Sequence, residues 1–121
     1  MIGNVTVTRR YHFEAGHYLP KVAPTHKCSR QHGHNYEVEV ILQSAELDDA
    51  GFVRDYFELG ALKQFIDATV DHKHLNDVLG HDRTTAEVIS KWLYDWCKSR
   101  WHEVIAVRVC ETPQTWAEYR P

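Results

Sequence analysis

The pattern of apolar residues predicts one α+β domain built around an antiparallel sheet. Segments with strand-like alternation are grouped at both ends of the chain, and two segments with helical spacing lie together between them. The strand–helix–strand alternation of a parallel sheet is missing. The element order read from the sequence is ββ(β)ααββ.

The first strand is expected from Val5 to His17, where Val5, Val7, Tyr11, Phe13, Ala15 and His17 occupy alternate positions and the intervening residues are mostly polar. Pro20 and Pro24 mark a loop running to about Gln31. Alternation returns from His32 to Leu42, with His32, His34, Tyr36, Val38, Val40 and Leu42 on one face. Asp48-Asp49-Ala50-Gly51 is a turn sequence, leading to a short strand expected around Phe52 to Tyr56 as part of a hairpin. Phe57, Leu59, Leu62, Phe65, Ile66 and Val70 follow helical spacing, predicting a helix from about Phe57 to Ala68. Asp71 to Asp77 is polar and reads as a loop. A second helix is expected from about Thr85: Thr84-Thr85-Ala86-Glu87 fits a capping box, and Val88, Ile89, Trp92, Leu93 and Trp96 make the apolar face. Strands from Val104 to Glu111 and from Trp116 to Arg120 complete the chain.

At 121 residues, positions 1–121 are expected to form a single domain with a small core, for which association through a large interface is unsurprising. A net charge of −3 and 26% charged residues give no basic footprint for nucleic acid or an anionic membrane. No apolar run approaches the roughly 20 residues of a bilayer span. The N-terminal segment alternates like a strand and lacks a signal peptide's apolar centre, so a cytoplasmic protein is expected. Cys28, Cys97 and Cys110 are too few and scattered for a disulfide framework. Cys97 and Cys110 read as packing residues. Cys28 sits among polar residues beside a histidine cluster.

Of nine histidines, His12, His26, His74, His81 and His102 read as surface or local hydrogen-bonding residues. His32-Gly33-His34 is different, because residues two apart on a strand project from the same face. His17 ends the apolar face of the first strand, and a neighbouring strand can bring it beside that pair. Three neutral imidazoles at one point make a zinc site with an open fourth position, as catalytic zinc requires. Cys28, four residues before His32, offers an alternative fourth ligand that would close the site into a structural one. Spacing leaves both arrangements open.

Five motifs in order resemble the 6-pyruvoyltetrahydropterin synthase and 6-carboxytetrahydropterin synthase family. They are Phe13-Glu14-Ala15-Gly16-His17; Cys28-Ser29-Arg30-Gln31-His32-Gly33-His34-Asn35-Tyr36; Asp71-His72-Lys73-His74-Leu75-Asn76; Thr84-Thr85-Ala86-Glu87; and Glu111-Thr112-Pro113. The resemblance implies zinc (Zn2+) held by His17, His32 and His34. It further implies a catalytic thiol at Cys28, an Asp71–His72 pair and a pterin anchor at Glu111. It implies a tunnelling-type fold, a four-stranded antiparallel sheet with two helices on one face, with trimers closing a barrel, hexamers built as dimers of trimers, and active sites between subunits. The short Cys-x-x-x-His-Gly-His spacing resembles the bacterial carboxytetrahydropterin branch, which feeds queuosine-type 7-deazapurine synthesis.

The implied substrate is 7,8-dihydroneopterin triphosphate. A free thiol titrates near 8.5 and lower beside a metal or imidazolium, which suits Cys28 as a base. His72 can exchange protons with it while Asp71 holds the ring, or the two can simply order a loop. A carboxylate at Glu111 can accept paired hydrogen bonds from the pterin edge. Thr85 and Glu87 join the substrate residues by resemblance, although a capping box accounts for both. Lys27, Arg30 and Lys73 are the cations nearest in sequence for the triphosphate. Three activities fit: the carboxytetrahydropterin synthase, the pyruvoyl-forming synthase, and a noncatalytic zinc- or pterin-binding module. A zinc nucleobase deaminase does not, because its His-x-Glu and Pro-Cys-x-x-Cys signature is absent.

Overall fold

A computed structural model describes residues 3–121. Strand β1 (Val5–His17) and strand β2 (His32–Ser44) are the two longest strands, each of 13 residues, and pair antiparallel along their whole length. Helix α1 spans Gly60–Thr69, strand β3 Lys73–His74, helix α2 Leu75–Leu79 and helix α3 Ala86–Arg100. Strands β4 (Val104–Thr112) and β5 (Thr115–Tyr119) close the fold. The sheet order is β3-β1-β2-β4-β5.

Alternation along β1 and β2 separates two faces. Tyr11, Phe13 and Ala15 of β1, Tyr36, Val38, Val40 and Leu42 of β2, and Val107 and Val109 of β4 are buried. They pack with Leu62 and Ile66 of α1 and Ile89, Leu93 and Cys97 of α3 in one core. Phe13 stacks on Tyr36 at 4.7 Å between ring centroids. Each fully buried Val, Leu, Ile or Phe side chain among them contributes about 1.5–3 kcal/mol by leaving water. The opposite face is charged, with Arg10 lying 3.8 Å from Glu37 and 3.7 Å from Glu39. Cys97 is a core residue, as expected, whereas Cys110 is only half-buried.

The sheet is five-stranded and mixed rather than four-stranded and antiparallel, and three α-helices accompany it rather than two. The difference lies in the segment read as a loop. His72 takes a positive φ of 58° and donates its backbone N–H to the Glu14 carbonyl at 2.6 Å. Lys73 and His74 then pair parallel with Ala15 and Gly16, and α2 follows, ended by Gly80 at φ 74°. A two-residue strand has no period to read.

The strand expected around Phe52 to Tyr56 is instead a series of turns. The Asp48 carboxylate accepts from the backbone N–H of Ala50 and Phe52, and Asp55 accepts from that of Phe57. These local bonds divert the backbone from a ladder, so Phe57 is 87% exposed and the helix begins only at Gly60. The capping box is also displaced by one residue. Thr85 is the N-cap of α3, its hydroxyl accepting from the Val88 N–H at 3.3 Å, and this places Glu87 one position short of the reciprocal site.

Within one chain, β1 is covered on its outer side only at Ala15 and Gly16, and β5 has no outer partner among the described residues. Phe57, Tyr56 and Trp116 are exposed as well. Open sheet edges and exposed aromatic rings favour self-association. Light scattering at micromolar concentration should therefore give a mass several times 14.1 kDa; a monomer there would contradict this reading of the edges.

Candidate metal centre

The β1–β2 register sets His17 opposite His32 and Ala15 opposite His34, so the three imidazoles share one end of the sheet on the helix-covered face. Their ring centroids lie 4.5 Å (His17–His32), 5.2 Å (His17–His34) and 4.8 Å (His32–His34) apart. Pairing of Val38 with Val109 brings Glu111, two residues further along β4, to the same end. One ligand atom from each of these four residues lies within 4.8 Å of the others. The Nε2 atoms of His17, His32 and His34 are buried and have no hydrogen-bond partner. A buried polar atom without a partner is costly unless something else satisfies it. Three such nitrogens converging on one point fit a divalent cation.

The other ring nitrogens are held by backbone carbonyls. His17 Nδ1 lies 2.8 Å from the Thr84 carbonyl, and His32 Nδ1 lies 2.6 Å from the Arg30 carbonyl. In each neutral ring Nδ1–H donates to that carbonyl, leaving the Nε2 lone pair for a metal. Burial lowers the His34 pKa, partly opposed by Glu111 and reinforced by His17 and His32, which favours the neutral ligand form.

Thr84 and Asn76 are the positioning residues that sequence reasoning missed. Thr84 is fully buried and its hydroxyl lies 3.2 Å from His17 Nδ1. Asn76 accepts from the Tyr18 N–H at 3.1 Å and donates to the Tyr18 carbonyl at 3.0 Å, fixing the chain just after His17. The Thr84 hydroxyl also reaches Asn76 Oδ1 at 3.4 Å. The only sequence signal was two buried-type polar residues in motifs assigned to capping and loop formation.

Cys28 lies in a short 3-10 turn, Lys27–Ser29, outside the four-residue cluster. Its backbone N–H donates to His26 Nδ1 and its carbonyl accepts from the Leu19 N–H at 2.8 Å, which ties the thiol-bearing loop to the chain two residues beyond His17. The thiol is partly exposed. The fourth position beside the histidines is therefore approached by Glu111 and not by Cys28.

Asp71 and His72 face each other, with Asp71 Oδ2 3.1 Å from His72 Nδ1. The other Asp71 oxygen accepts from the Glu14 N–H at 3.0 Å. His72 is well exposed and lines a cleft of about 470 Å³ with Gly16, Gly33, His34, Asn35 and Lys73. Among the described residues no hydrogen bond joins this pair to Cys28. Glu87 shares a second cleft with Glu111 and Trp116, whereas the Thr85 hydroxyl is engaged in capping α3. Lys27 and Arg30 stay in the loop before β2.

Fold and site together define an α+β protein with a three-histidine, one-carboxylate cluster at one end of its sheet. Residues 6–121 match the family model described as 6-pyruvoyl tetrahydropterin synthase, and the chain belongs to that family. It is 34% identical over 122 residues to the 6-carboxy-5,6,7,8-tetrahydropterin synthase of Bacillus subtilis, covering 91% of this chain and 81% of that relative. It is 32% identical over 133 residues to the 6-pyruvoyl tetrahydrobiopterin synthase of Dictyostelium discoideum, with 99% and 98% covered. The structure of Caenorhabditis elegans 6-pyruvoyl tetrahydropterin synthase superposes with a TM-score of 0.86 at 27% identity, covering 98% of this chain and 96% of that one.

The Glu14 N–H bond, aided by His72, holds the Asp71 carboxyl below its usual range although burial opposes it. A folded-state pKa below the unfolded value contributes stability above the unfolded pKa of about 3.9, and that contribution is lost as pH falls through the folded value. Chemical denaturation of Asp71→Asn should show a deficit against wild type at pH 6–7 that shrinks below about pH 4. A deficit independent of pH would show that the charge on Asp71 does not matter there.

Proposed function

We propose that this chain is a zinc-dependent 6-carboxy-5,6,7,8-tetrahydropterin synthase, a carbon–carbon lyase of 7-deazapurine (queuosine) synthesis. One domain would carry the activity. It would convert 7,8-dihydroneopterin triphosphate and one water into 6-carboxytetrahydropterin, acetaldehyde and triphosphate. The observation that carries the reading is the convergence of three unpartnered, buried imidazole nitrogens beside a carboxylate. The similarity to the Bacillus synthase supports the choice of product.

His17, His32 and His34 hold the metal, which when bound supplies a Lewis acid to stabilise negative charge on the side-chain oxygens of the substrate. The rest falls to the chain's own groups. Cys28, on a loop tied beside His17, takes the proton from the substrate carbon next to the ring. His72 carries protons to and from the side chain, with Asp71 fixing its ring orientation. Glu111 accepts hydrogen bonds from the pterin edge, with Glu87 along the same cleft and Thr85 setting the helix that carries Glu87. Lys73 lines the cleft with His72, where it can meet the triphosphate. Among the described residues of one chain no hydrogen bond joins Cys28 to the Asp71–His72 pair, and their meeting is assigned to a hexamer, a dimer of trimers, whose active sites form between subunits.

A second reading keeps all side-chain carbons and only eliminates triphosphate, giving a 6-pyruvoyl product. It draws on the Dictyostelium and Caenorhabditis relatives. Zinc-loaded protein incubated with 7,8-dihydroneopterin triphosphate should release acetaldehyde and a 6-carboxy product, read by mass. A pyruvoyl product without acetaldehyde would establish the second reading instead. Cys28→Ala should keep its zinc while turnover falls about 10²-fold or more, the scale of positioned acid–base catalysis, and Cys28→Ser should be nearly as impaired. A Cys28→Ala protein without zinc would make the thiol a ligand and overturn its role as the base.

A further inference from the structure

Glu111 is where metal binding and substrate recognition meet. Its Oε1 lies 3.3 Å from His17 Nε2 and 3.1 Å from His34 Nε2. Yet neither ring nitrogen makes a hydrogen bond, so these contacts are not donor–acceptor pairs. A tetrahedral ion with ligands at about 2.0–2.1 Å sets its ligand atoms roughly 3.3 Å apart, which is the spacing of Glu111 from these two nitrogens. The His17 tautomer sharpens the point. With Nδ1–H donated to Thr84, Nε2 presents a lone pair to a carboxylate oxygen, a repulsive pairing unless a cation lies between them.

The same carboxylate is 27% exposed. It lines a cleft of about 820 Å³ with Arg108, Thr112 and Trp116, and a smaller one with Glu87. It therefore borders, with His34, the space that a flat ring would enter. Paired recognition of an amino group and a ring N–H needs both carboxylate oxygens. An oxygen bound to a metal gives a lone pair and part of its charge to the cation and accepts more weakly, so paired recognition favours its release.

We propose that Glu111 is the fourth ligand of the resting metal site and that an incoming pterin edge draws it away. The fourth position then opens only when the ring is in place. The ligand assignment stands on the cluster geometry, and the displacement rests on the pterin reading above.

Cobalt(II) in place of zinc reports coordination directly through its visible absorption. Cobalt-loaded wild type and the isosteric Glu111→Gln variant should give different spectra. The variant should also bind the metal at least about 10-fold more weakly, since even groups that only orient a ligand are worth 10–100-fold in affinity. Melting temperatures of the two proteins in chelator should coincide, which separates lost ligation from misfolding. Adding 7,8-dihydropterin, a ring with no side chain to reach the metal, should move the wild-type spectrum towards that of the variant. Superimposable spectra with equal affinities would overturn the ligand assignment. Dihydropterin bound in equilibrium dialysis with the wild-type spectrum unmoved would overturn the displacement alone. Failure of dihydropterin to bind would overturn the displacement together with the pterin reading, while the comparison of wild type with Glu111→Gln still decides the ligand assignment.

Discussion

Thirteen consecutive backbone pairs between β1 and β2 hold this molecule's chemistry in register. Side chains alternate across a strand, so a slip of one residue would turn every core side chain of one strand to the charged face and carry its histidines away. The core prevents that slip. Phe13 on Tyr36, with Tyr11, Val38 and Val40 beside them, are buried on one face only, and the opposite face carries Arg10, Glu37 and Glu39. Hydrophobic burial that stabilises the sheet also selects the register that sets His17 opposite His32. The β2–β4 ladder extends the same logic to Glu111.

The end of the sheet is then finished by polar contacts from outside it. Asn76 comes from the short helix α2 and Thr84 from the connection that follows it, and both are buried. They hold the carbonyl that orients His17 and the backbone of Tyr18 that follows it. Arg30 does the same for His32 from the preceding loop. Metal-ligating imidazoles commonly depend on such partners for tautomer and ring direction. Here those partners lie on short segments outside the long strands, so the most regular part of the fold supplies the converging nitrogens and the short connections aim them.

The two long strands and their faces were legible in the sequence because alternation over 13 residues is a strong periodic signal. The His32–His34 pair was legible for the same reason. β3 was not, since two residues carry no period, and its pairing depends on a positive φ at His72. The segment from Phe52 to Tyr56 looked like a strand because its apolar content was visible, while the preference of Asp48 and Asp55 for bonding nearby N–H groups prevailed in the fold. The start of α3 was placed to within one residue, but Thr84 was assigned to the cap when its atoms face His17. Family resemblance pointed to Glu111 as a substrate anchor, not as a neighbour of the histidines. Its approach to the histidines comes from the β2–β4 register, a tertiary fact that spacing along the chain does not encode.

Everything proposed for this chain depends on His17, His32 and His34 sharing one metal ion. X-ray absorption at the zinc edge of the loaded protein tests it most directly. The account predicts imidazole scattering from three nitrogens at about 2.0–2.1 Å with no sulfur shell. A sulfur at about 2.3 Å would place Cys28 on the metal, and fewer than three imidazoles would break the convergence on which the reading of this chain depends.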